Sequence, residues 1–519
     1  MASNSTISTP SFPFLLLLIL VVALLSGSGI VPTASGKELS IREATVLDLQ
    51  LAFKSNQLTS RQLVEFYLKE IKRLNPVLNA VIEVNPDALA QADRADHERK
   101  AKVPHSLSNL HGIPILLKDN IATKDKLNTT AGSFALLGSV VPRDAGVVKR
   151  LRKFGAIILG KASLTEWSAF RSSNVANGWN ARTGQGKNPY TLGNPCGSSS
   201  GSAISVAANL AAVTLGTDTD GSILCPSDFN SVVGIRPTVG LTSRAGVVPI
   251  SPRQDTVGPI CRTVTDAAYV LEAIAGIDAR DNATIEASQY IPRGGYAQFL
   301  KIDGLRGKRL GLVRASVEFF LGNHTFQKNA FEKHLKTLRK KGAVLVGNLK
   351  LDLDKIYAEY DTEFAALEAE FKLSLNDYLK DLVVSPVRSL ADAIAFNKKN
   401  PKLEKLEYGQ DLFLLAQGTN GIGQKEKAAL LTLETLSKTG FEKIMKENNL
   451  DAVVLPTSKF HHVLAVGGYP GVTVPAGYGK AGPFGILFGG LKGSEPKLIE
   501  IAYSFEQATK IRKPPPLKF

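Results

Sequence analysis

Residues 196–216 read CGSSSGSAISVAANLAAVTLG, a serine-rich segment that continues without a charged break into an apolar one. Small polar residues by themselves are typical of a flexible linker. The apolar half is too hydrophobic to be left in water, so it must pack inside the protein. The serines are therefore held against the core, and their hydroxyl groups are candidates for chemistry.

The neighbouring segments predict a fold in which strands and helices alternate. Residues 59–76 carry apolar side chains at helical spacing, with a capping box formed by Thr59 and Gln62 and with Pro76 as the terminator. The short apolar run at residues 113–117 is typical of a buried strand. This alternation predicts an α/β fold, with a strand-rich core covered by helices on both sides.

The chain is predicted to contain one catalytic domain, at residues 37–513. Its 44% hydrophobic and 21% charged residues are those of a globular protein, so most of the chain is expected to fold around one sizeable core. Residues 304–449 are more helical and more charged, and we expect them to form a helical lobe on the substrate side. A short basic, proline-rich tail follows at residues 514–519.

Residues 1–36 are predicted to be a signal peptide. Fourteen apolar residues at 12–25 suit the core of such a peptide, are too few to span a bilayer comfortably, and precede small residues with a cleavage position near Ser35 or Gly36. The segment before them has no Lys or Arg, so an uncleaved anchor is the alternative. No stable membrane association is expected if the peptide is removed.

Three glycosylation sequons follow this segment, at Asn128, Asn282 and Asn323. They fit entry into the secretory pathway, and we expect an extracellular or vacuolar protein.

The cysteines are an odd set and too few for a disulfide framework: Cys196, Cys225 and Cys261. Small buried free thiols are the prediction for all three, with a reactive thiol as the alternative.

The net charge of +15 raises the hypothesis of a nucleic-acid partner. The charges do not support it, because basic residues alternate with acidic ones at residues 340–355 and 396–407, and no basic motif is interleaved with aromatic residues. We predict a solvated surface and no nucleic-acid partner. No cluster of His, Cys and Asp suggests a metal, and no cofactor is expected.

The serine-rich segment matches the nucleophile elbow G-x-S-x-G at residues 197–201, with Ser199 as the nucleophile. That motif requires a strand directly before the turn, whereas residues 188–196 contain two prolines and a glycine. An esterase using Ser199 is therefore kept only as an alternative.

Two further residues can take part in acyl transfer. Ser222 directly follows a tight turn bracketed by Gly216 and Gly221, and such a turn can aim backbone N–H groups at one point, as an oxyanion hole requires. Lys118 ends the apolar run, where it either reaches water or is buried. Burial would lower its pKa and make the neutral amine a general base.

Together these segments resemble the amidase signature family. The segments are GIPILLKDN at 112–120, NPCGSSSGS at 194–202 and LGTDTDGSILCPS at 215–227, and the resemblance extends over about residues 38–512. It implies a large mixed, mostly parallel twisted sheet covered by helices, with a helical cap lobe. The residues that depart from the commonest pattern, among them Cys196, Ser200 and Asp220, resemble the peptide-amidase-like branch of plant-type secreted amidases. They differ from the A chain of glutaminyl-tRNA amidotransferases.

The resemblance implies a Ser-Ser-Lys relay. In it Ser222 attacks the amide carbonyl, Ser198 passes the proton across a cis peptide after Gly197, and Lys118 accepts it. Ser199 supports the network with its hydroxyl. The oxyanion hole is expected from four backbone amides, those of Thr219, Asp220, Gly221 and Ser222.

The predicted function is that of a secreted serine amidohydrolase acting on a small-molecule or peptide amide, and a homodimer is compatible with it. Asp220 would place a carboxylate near the oxyanion site unless it points away, and Ser200 is a further departure. These two residues motivate the other alternative, an inactive family member that acts as a binding or cell-wall protein.

Overall fold

The computed structural model describes residues 40–104, 108–347 and 349–517. The predicted signal peptide lies outside the described residues. The strands, in chain order, are β1 (Val81–Val84), β2 (Pro114–Lys118), β3 (Ile157–Ala162), β4 (Trp179–Asn180), β5 (Gly184–Gln185), β6 (Val213–Asp218), β7 (Val233–Arg236), β8 (Thr256–Cys261), β9 (Arg309–Gly311), β10 (Val344–Val346), β11 (Ala452–Leu455), β12 (Gly471–Gly479) and β13 (Gly482–Gly489).

Eleven of these strands, within the described residues, form one mixed sheet in the order β1-β3-β2-β6-β8-β7-β12-β13-β11-β9-β10, and β4 and β5 form a separate pair. The predicted large mixed sheet is confirmed. It is not mostly parallel, because in the described part of the chain six neighbouring pairs are antiparallel and four are parallel. The hairpin of β12 and β13, and the pairing of β8 with both β6 and β7, account for the antiparallel centre.

The parallel pairing of β2 with β6 positions the candidate site. Ile115, Leu116 and Leu117 lie opposite Val213, Thr214 and Leu215 in this pair. The carboxyl ends of two parallel strands meet at the same edge of a sheet. Lys118, the last residue of β2, and Asp218, the last residue of β6, therefore lie at one edge.

Helices cover the sheet and fill the remainder of the fold. Helix α7 (Val264–Ile274) packs against β8, helix α18 (Glu495–Thr509) against β12 and β13, and helix α10 (Thr325–Lys340) against β12. The helices are α1 (Val46–Lys54), α2 (Ser60–Leu78), α3 (Ala88–Lys100), α4 (Gly146–Lys153), α5 (Ser200–Ala207), α6 (Leu224–Phe229), α7 (Val264–Ile274), α8 (Ala283–Ala287), α9 (Arg314–Leu321), α10 (Thr325–Lys340), α11 (Leu353–Ala358), α12 (Tyr360–Asp381), α13 (Leu390–Lys399), α14 (Asp411–Gly418), α15 (Gln424–Ser437), α16 (Lys443–Glu447), α17 (His461–Gly467) and α18 (Glu495–Thr509).

Helix α2 begins where the sequence predicts and ends later. Both hydrogen bonds of the capping box between Thr59 and Gln62 are present. Pro76 lies inside the last turn, and the helix ends at Leu78 because Asn79 adopts the left-handed conformation, with φ 49° and ψ 41°. The prediction that Pro76 terminates the helix is therefore wrong by two residues.

The serine-rich and apolar segment at residues 196–216 divides into a loop, a buried helix and a strand. Every residue of α5 is buried, and β6 begins after a connection of residues 208–212. The apolar face of α5 packs in one cluster with Ile223, the residue that follows Ser222. The two serine segments are therefore held by the same part of the core, as expected from the apolar run.

Residues 304–449 contain helices α9 to α16 together with β9 and β10. Among the aromatic residues there, Phe371 and Phe413 are buried, whereas Tyr360 is half exposed. None of the described helices is long and apolar enough to cross a membrane. The boundaries of the domain, the lobe and the tail stay predictions.

Candidate active site

Lys118 is fully buried at the end of β2, so the alternative in which it reaches water is wrong. Its Nζ donates to Ser198 Oγ at 2.7 Å, to Thr217 Oγ1 at 2.8 Å and to the Thr217 carbonyl at 3.3 Å. Asp119, the adjacent residue, accepts instead from the hydroxyl of Thr130 and the amide of Gly132. The lysine amine is thus directed at the serine loop, and its hydrogen bonds within the described residues go to Ser198 and Thr217.

The environment of Lys118 lowers its pKa to about 7. Burial is the dominant cause, because a buried ammonium loses its hydration, while Asp218 and Asp255 oppose the shift by attraction. Near neutral pH a large share of the amine is therefore uncharged. The neutral amine has a lone pair that can receive a proton from Ser198 across the same 2.7 Å contact.

Ser198 lies in the loop before α5, after a cis peptide bond between Gly197 and Ser198. Its carbonyl accepts from the amide of Thr165 at 3.0 Å. A side chain at Gly197 would collide with Thr165 Oγ1 at 2.3 Å and with Asn177 Oδ1 at 2.9 Å, so the loop needs glycine there. The backbone of Ser198 is therefore held by Thr165, and its hydroxyl is held by the amine of Lys118.

Ser199 supports the neighbouring backbone. Its hydroxyl donates to the Thr217 carbonyl at 3.0 Å and accepts from the Thr217 amide at 3.2 Å, and its side chain is fully buried. A loop, rather than a strand, precedes it. An elbow nucleophile must be exposed at the top of a strand-to-helix turn. The geometry of Ser199 does not meet that requirement.

Ser222 is half buried and stands two residues before α6. The amide of Ser199 donates to the Ser222 carbonyl at 3.1 Å, which ties the segment of Ser222 to the loop of Ser198. The preceding Gly221 has φ +88°, a conformation that side chains disfavour. The backbone around Ser222 is thus shaped by a glycine and attached to the Ser198 loop.

Asp218 holds this turn in place, and the sequence analysis did not identify it. Its carboxylate accepts from the amides of Gly221 at 2.8 Å and Ile223 at 2.6 Å, and it pairs with the buried guanidinium of Arg236. The Gly221 N–H is therefore already engaged. Of the four predicted oxyanion donors, the amides of Thr219, Asp220 and Ser222 stay as candidates.

The carboxylate of Asp220 is bound by two consecutive histidines at the start of α17. Its Oδ1 lies 2.7 Å from His461 Nδ1, and its Oδ2 lies 3.2 Å from His462 Nδ1. Burial acts to raise the pKa of Asp220, but the two imidazoles outweigh it and hold that pKa well below its usual range. The side chain of Asp220 is therefore an ionised partner of His461 and His462.

The prediction of free thiols is wrong for two of the three cysteines. Cys196 and Cys225 form a disulfide, with a Cα–Cα distance of 5.9 Å. Cys196 precedes Ser198 in its loop, and Cys225 lies in the first turn of α6 after Ser222. The fold thus brings the cysteines together across the two serine segments. Cys261 is buried with a free thiol, as expected, and burial raises its pKa.

Comparison with known proteins gives the same family throughout. A family model described as Amidase matches residues 62–496. A probable amidase of Arabidopsis thaliana is 61% identical over 481 residues, which cover 92% of each chain. The native peptide amidase of Stenotrophomonas maltophilia is 43% identical with a TM-score of 0.86, and the match covers 92% of this chain and 99% of that one.

The same comparison bears on the predicted branch. The A chain of the glutamyl-tRNA(Gln) amidotransferase of Thermoanaerobacter pseudethanolicus is 31% identical over 502 residues, which cover 91% of this chain and 97% of that one. This identity is lower than that of the peptide amidase or of the plant relative. The similarity therefore favours the peptide-amidase-like branch, as the substitutions in the serine segments predict.

Proposed function

The chain belongs to the amidase signature family and is an amide-hydrolysing enzyme, and we propose that it cleaves peptide carboxamides in the secretory pathway through a relay of Ser222, Ser198 and Lys118. The observation that carries the relay is the buried contact between Lys118 Nζ and Ser198 Oγ. A serine hydroxyl is a weak nucleophile until a base removes its proton. A lysine with a pKa of about 7 is such a base near neutral pH.

In the first step Ser222 Oγ attacks the carbonyl carbon of the substrate. The Ser222 proton passes to Ser198 Oγ as the Ser198 proton passes to Lys118 Nζ, so the lysine amine becomes positively charged. The carbonyl oxygen becomes an oxyanion, which accepts hydrogen bonds from the turn at Thr219, Asp220 and Ser222. Donors fixed before the reaction stabilise this charge without rearrangement.

Collapse of the tetrahedral intermediate breaks the C–N bond. The proton on Lys118 returns through Ser198 to the leaving nitrogen, which departs as ammonia or an amine. Water then attacks the acyl ester on Ser222 and gives up a proton through Ser198 to Lys118. The bond between the acyl group and Ser222 Oγ breaks, and this proton returns to Ser222 Oγ. The products are a carboxylic acid and the free enzyme. Each proton taken up by Lys118 is thus returned within the cycle.

A peptide carboxamide is the proposed substrate class because the similar enzyme from Stenotrophomonas maltophilia is a peptide amidase, 43% identical over nearly its whole length. The half-buried position of Ser222 is compatible with an extended substrate whose reacting group alone enters the site. The proposal predicts that an N-protected peptide amide is hydrolysed with release of ammonia.

A secretory location is supported by three features. The apolar run at residues 12–25 suits a signal peptide. The disulfide between Cys196 and Cys225 is typical of an oxidising compartment. Asn282 and Asn323, two of the sequon residues, are exposed.

The alternatives are less well supported. An esterase that uses Ser199 would need a nucleophile whose hydroxyl is not already engaged, and that of Ser199 makes two hydrogen bonds with Thr217. An inactive binding protein was suggested by Asp220 and Ser200, but the Asp220 carboxylate is occupied by two histidines, and Ser200 is the buried first residue of α5. The geometry therefore weighs against both alternatives.

The test is ammonia release from an N-protected dipeptide amide by the purified full-length protein and by three variants, Lys118→Ala, Ser198→Ala and Ser222→Ala. Each variant should lose about 10³-fold or more of kcat, as expected when a nucleophile or its base is removed. His97→Phe, on the exposed face of α3, is the control. Full activity of Ser222→Ala would overturn the proposed nucleophile, and full activity of Lys118→Ala would overturn the proposed base.

A further inference from the structure

Asp220 presents an electrostatic difficulty for the proposed reaction. It directly precedes Gly221 and Ser222, so its carboxylate belongs to the turn that must stabilise a negative oxygen. A like charge close to a developing anion is unfavourable, and the effect is stronger at a buried site than in water. An active enzyme must therefore neutralise this carboxylate or direct it elsewhere.

The first residues of α17 meet this requirement. His461 Nδ1 and His462 Nδ1 each bind a different oxygen of Asp220, at 2.7 Å and 3.2 Å. His462 Nδ1 is also 3.2 Å from Glu363 Oε2, a carboxylate of α12 that is fully buried. The Asp220 carboxylate is therefore held on both of its oxygens by groups outside its own turn.

The surroundings of the two histidines favour their charged form. Burial acts to lower the pKa of both histidines, but Asp220 outweighs it for His461, and Asp220 with Glu363 outweighs it for His462, whose pKa rises to about 10. The positive charge that each histidine favours opposes the negative charge of Asp220. Asp218 adds attraction on His461, and the rings of Tyr357 and Tyr360 pack against His462.

The ring of His461 also contacts the backbone of the turn. A Cβ added at Gly221 would lie 2.5 Å from His461 Cγ, so the imidazole lies directly against the Gly221 Cα. His461 therefore makes two independent contacts with the turn, one to the side chain of Asp220 and one to the backbone before Ser222.

We propose that His461 and His462 are positioning residues for amide hydrolysis, which hold and neutralise the Asp220 carboxylate so that the turn before Ser222 can stabilise the oxyanion. This inference rests on the proposed function, because it assigns a task within the oxyanion hole of that reaction. It requires no contact between either histidine and the substrate.

The inference makes a specific prediction about coupling. If the histidines act on the charge of Asp220, their removal is harmful only while that charge is present. A purely structural role would give losses that are independent of the residue at position 220. Coupling between neighbouring residues is measured by comparing single and double variants.

The experiment measures kcat and KM for a peptide amide in the full-length protein with His461→Phe, Asp220→Ala and both substitutions together. Phenylalanine keeps a ring against Gly221 and removes the contact with Asp220. His461→Phe is expected to lower kcat about 10- to 100-fold with KM changed less than about threefold, the effect of losing transition-state stabilisation alone. In the Asp220→Ala background the same substitution should cost less than about threefold in kcat.

His462→Gln, measured in both backgrounds, provides a second cycle in case His461→Phe does not fold, and thermal unfolding checks each variant. His97→Phe is the matched control. Equal losses from the histidine substitutions in both backgrounds, or a change confined to KM, would overturn the inference while leaving the relay intact. Ser222→Ala in the same assay separates the two claims, because its full activity would overturn the proposed function and, with it, the inference.

Discussion

The amine of Lys118 and the hydroxyl of Ser198 lie 2.7 Å apart at a depth where neither side chain is more than 1% exposed. The fold produces this contact by ending β2 at the edge where the Ser198 loop meets β6. Burial leaves the amine poised to lose its proton near neutral pH. The proposed relay therefore depends on where β2 ends.

The first prediction concerns pH. Lys118 acts as a base only when neutral, and its pKa is about 7, so kcat/KM should rise with pH, about tenfold per unit well below pH 7, and level off above pH 8. Steady-state rates between pH 5 and 9 measure this profile. Lys118→Arg should be inactive throughout, because the guanidinium does not lose its proton. A flat profile for the wild-type protein would exclude a titrating lysine as the base.

The second prediction uses Asp218 to move that profile. The attraction of Asp218 favours protonated Lys118 and so raises its pKa against the effect of burial. Asp218→Asn should therefore lower the pKa of Lys118, and the acid limb of kcat/KM should move to lower pH. The substitution leaves the buried charge of Arg236 unpaired and should destabilise the protein by about 3–5 kcal/mol.

Asp93→Asn is the control for Asp218→Asn. It removes a carboxylate that forms a surface ion pair with Arg61, and such a pair contributes little to stability. Both the pH profile and the free energy of unfolding of this variant should match those of the wild type. An acid limb that stays in place for Asp218→Asn, or moves to higher pH, would refute the proposed coupling.

The third prediction concerns the disulfide. Cys196 and Cys225 are separated by 29 residues, so their bond should stabilise the folded state by about 3–4 kcal/mol through the restricted unfolded chain. The double variant Cys196→Ser with Cys225→Ser should unfold at lower urea concentration and lose activity, since the two cysteines lie close in sequence to Ser198 and Ser222 of the proposed relay. Reductant should lower the urea concentration at which the wild type unfolds, and it should leave that of the double variant unchanged. Two alkylatable thiols at these positions in the oxidised, denatured protein would contradict the pairing.

The fourth prediction concerns glycosylation. Asn282 and Asn323 are exposed, whereas the amide nitrogen of Asn128 donates to Glu83 and its oxygen accepts from the Gly138 amide. A secreted protein should therefore carry glycans at Asn282 and Asn323 and not at Asn128. Glycosidase treatment and peptide mass mapping of the protein from its natural source give the result. Recovery of the native protein with residues 1–36 attached and all three sequons unmodified would contradict secretion.

Local patterns in the sequence predict the structural features that depend on residues close together in the chain. The strand that ends at Lys118, the capping box of α2 and the burial of α5 follow from hydrophobic periodicity and capping chemistry. The order of the three segments, with their resemblance to one family, predicts both serines and the lysine as catalytic residues.

Contacts between distant segments were not predictable in the same way. Asp218 with Arg236, Asp220 with His461, and Cys196 with Cys225 join positions 18, 241 and 29 residues apart. No periodicity links such positions, because their contact depends on how β6, β7 and α17 are arranged in space. An Asp in a glycine-rich turn therefore suggested impaired activity, whereas its histidine partners lie in a segment that gave no local signal.

The central claim is that Ser222, and no other serine, becomes acylated. The most direct test treats the purified full-length protein with a fluorophosphonate and locates the modified residue by peptide mass mapping, with Ser222→Ala and Ser199→Ala in parallel. Modification is expected at Ser222 in the wild type and in Ser199→Ala, and none is expected in Ser222→Ala. A label on Ser199, or a label that persists in Ser222→Ala, would contradict the central claim.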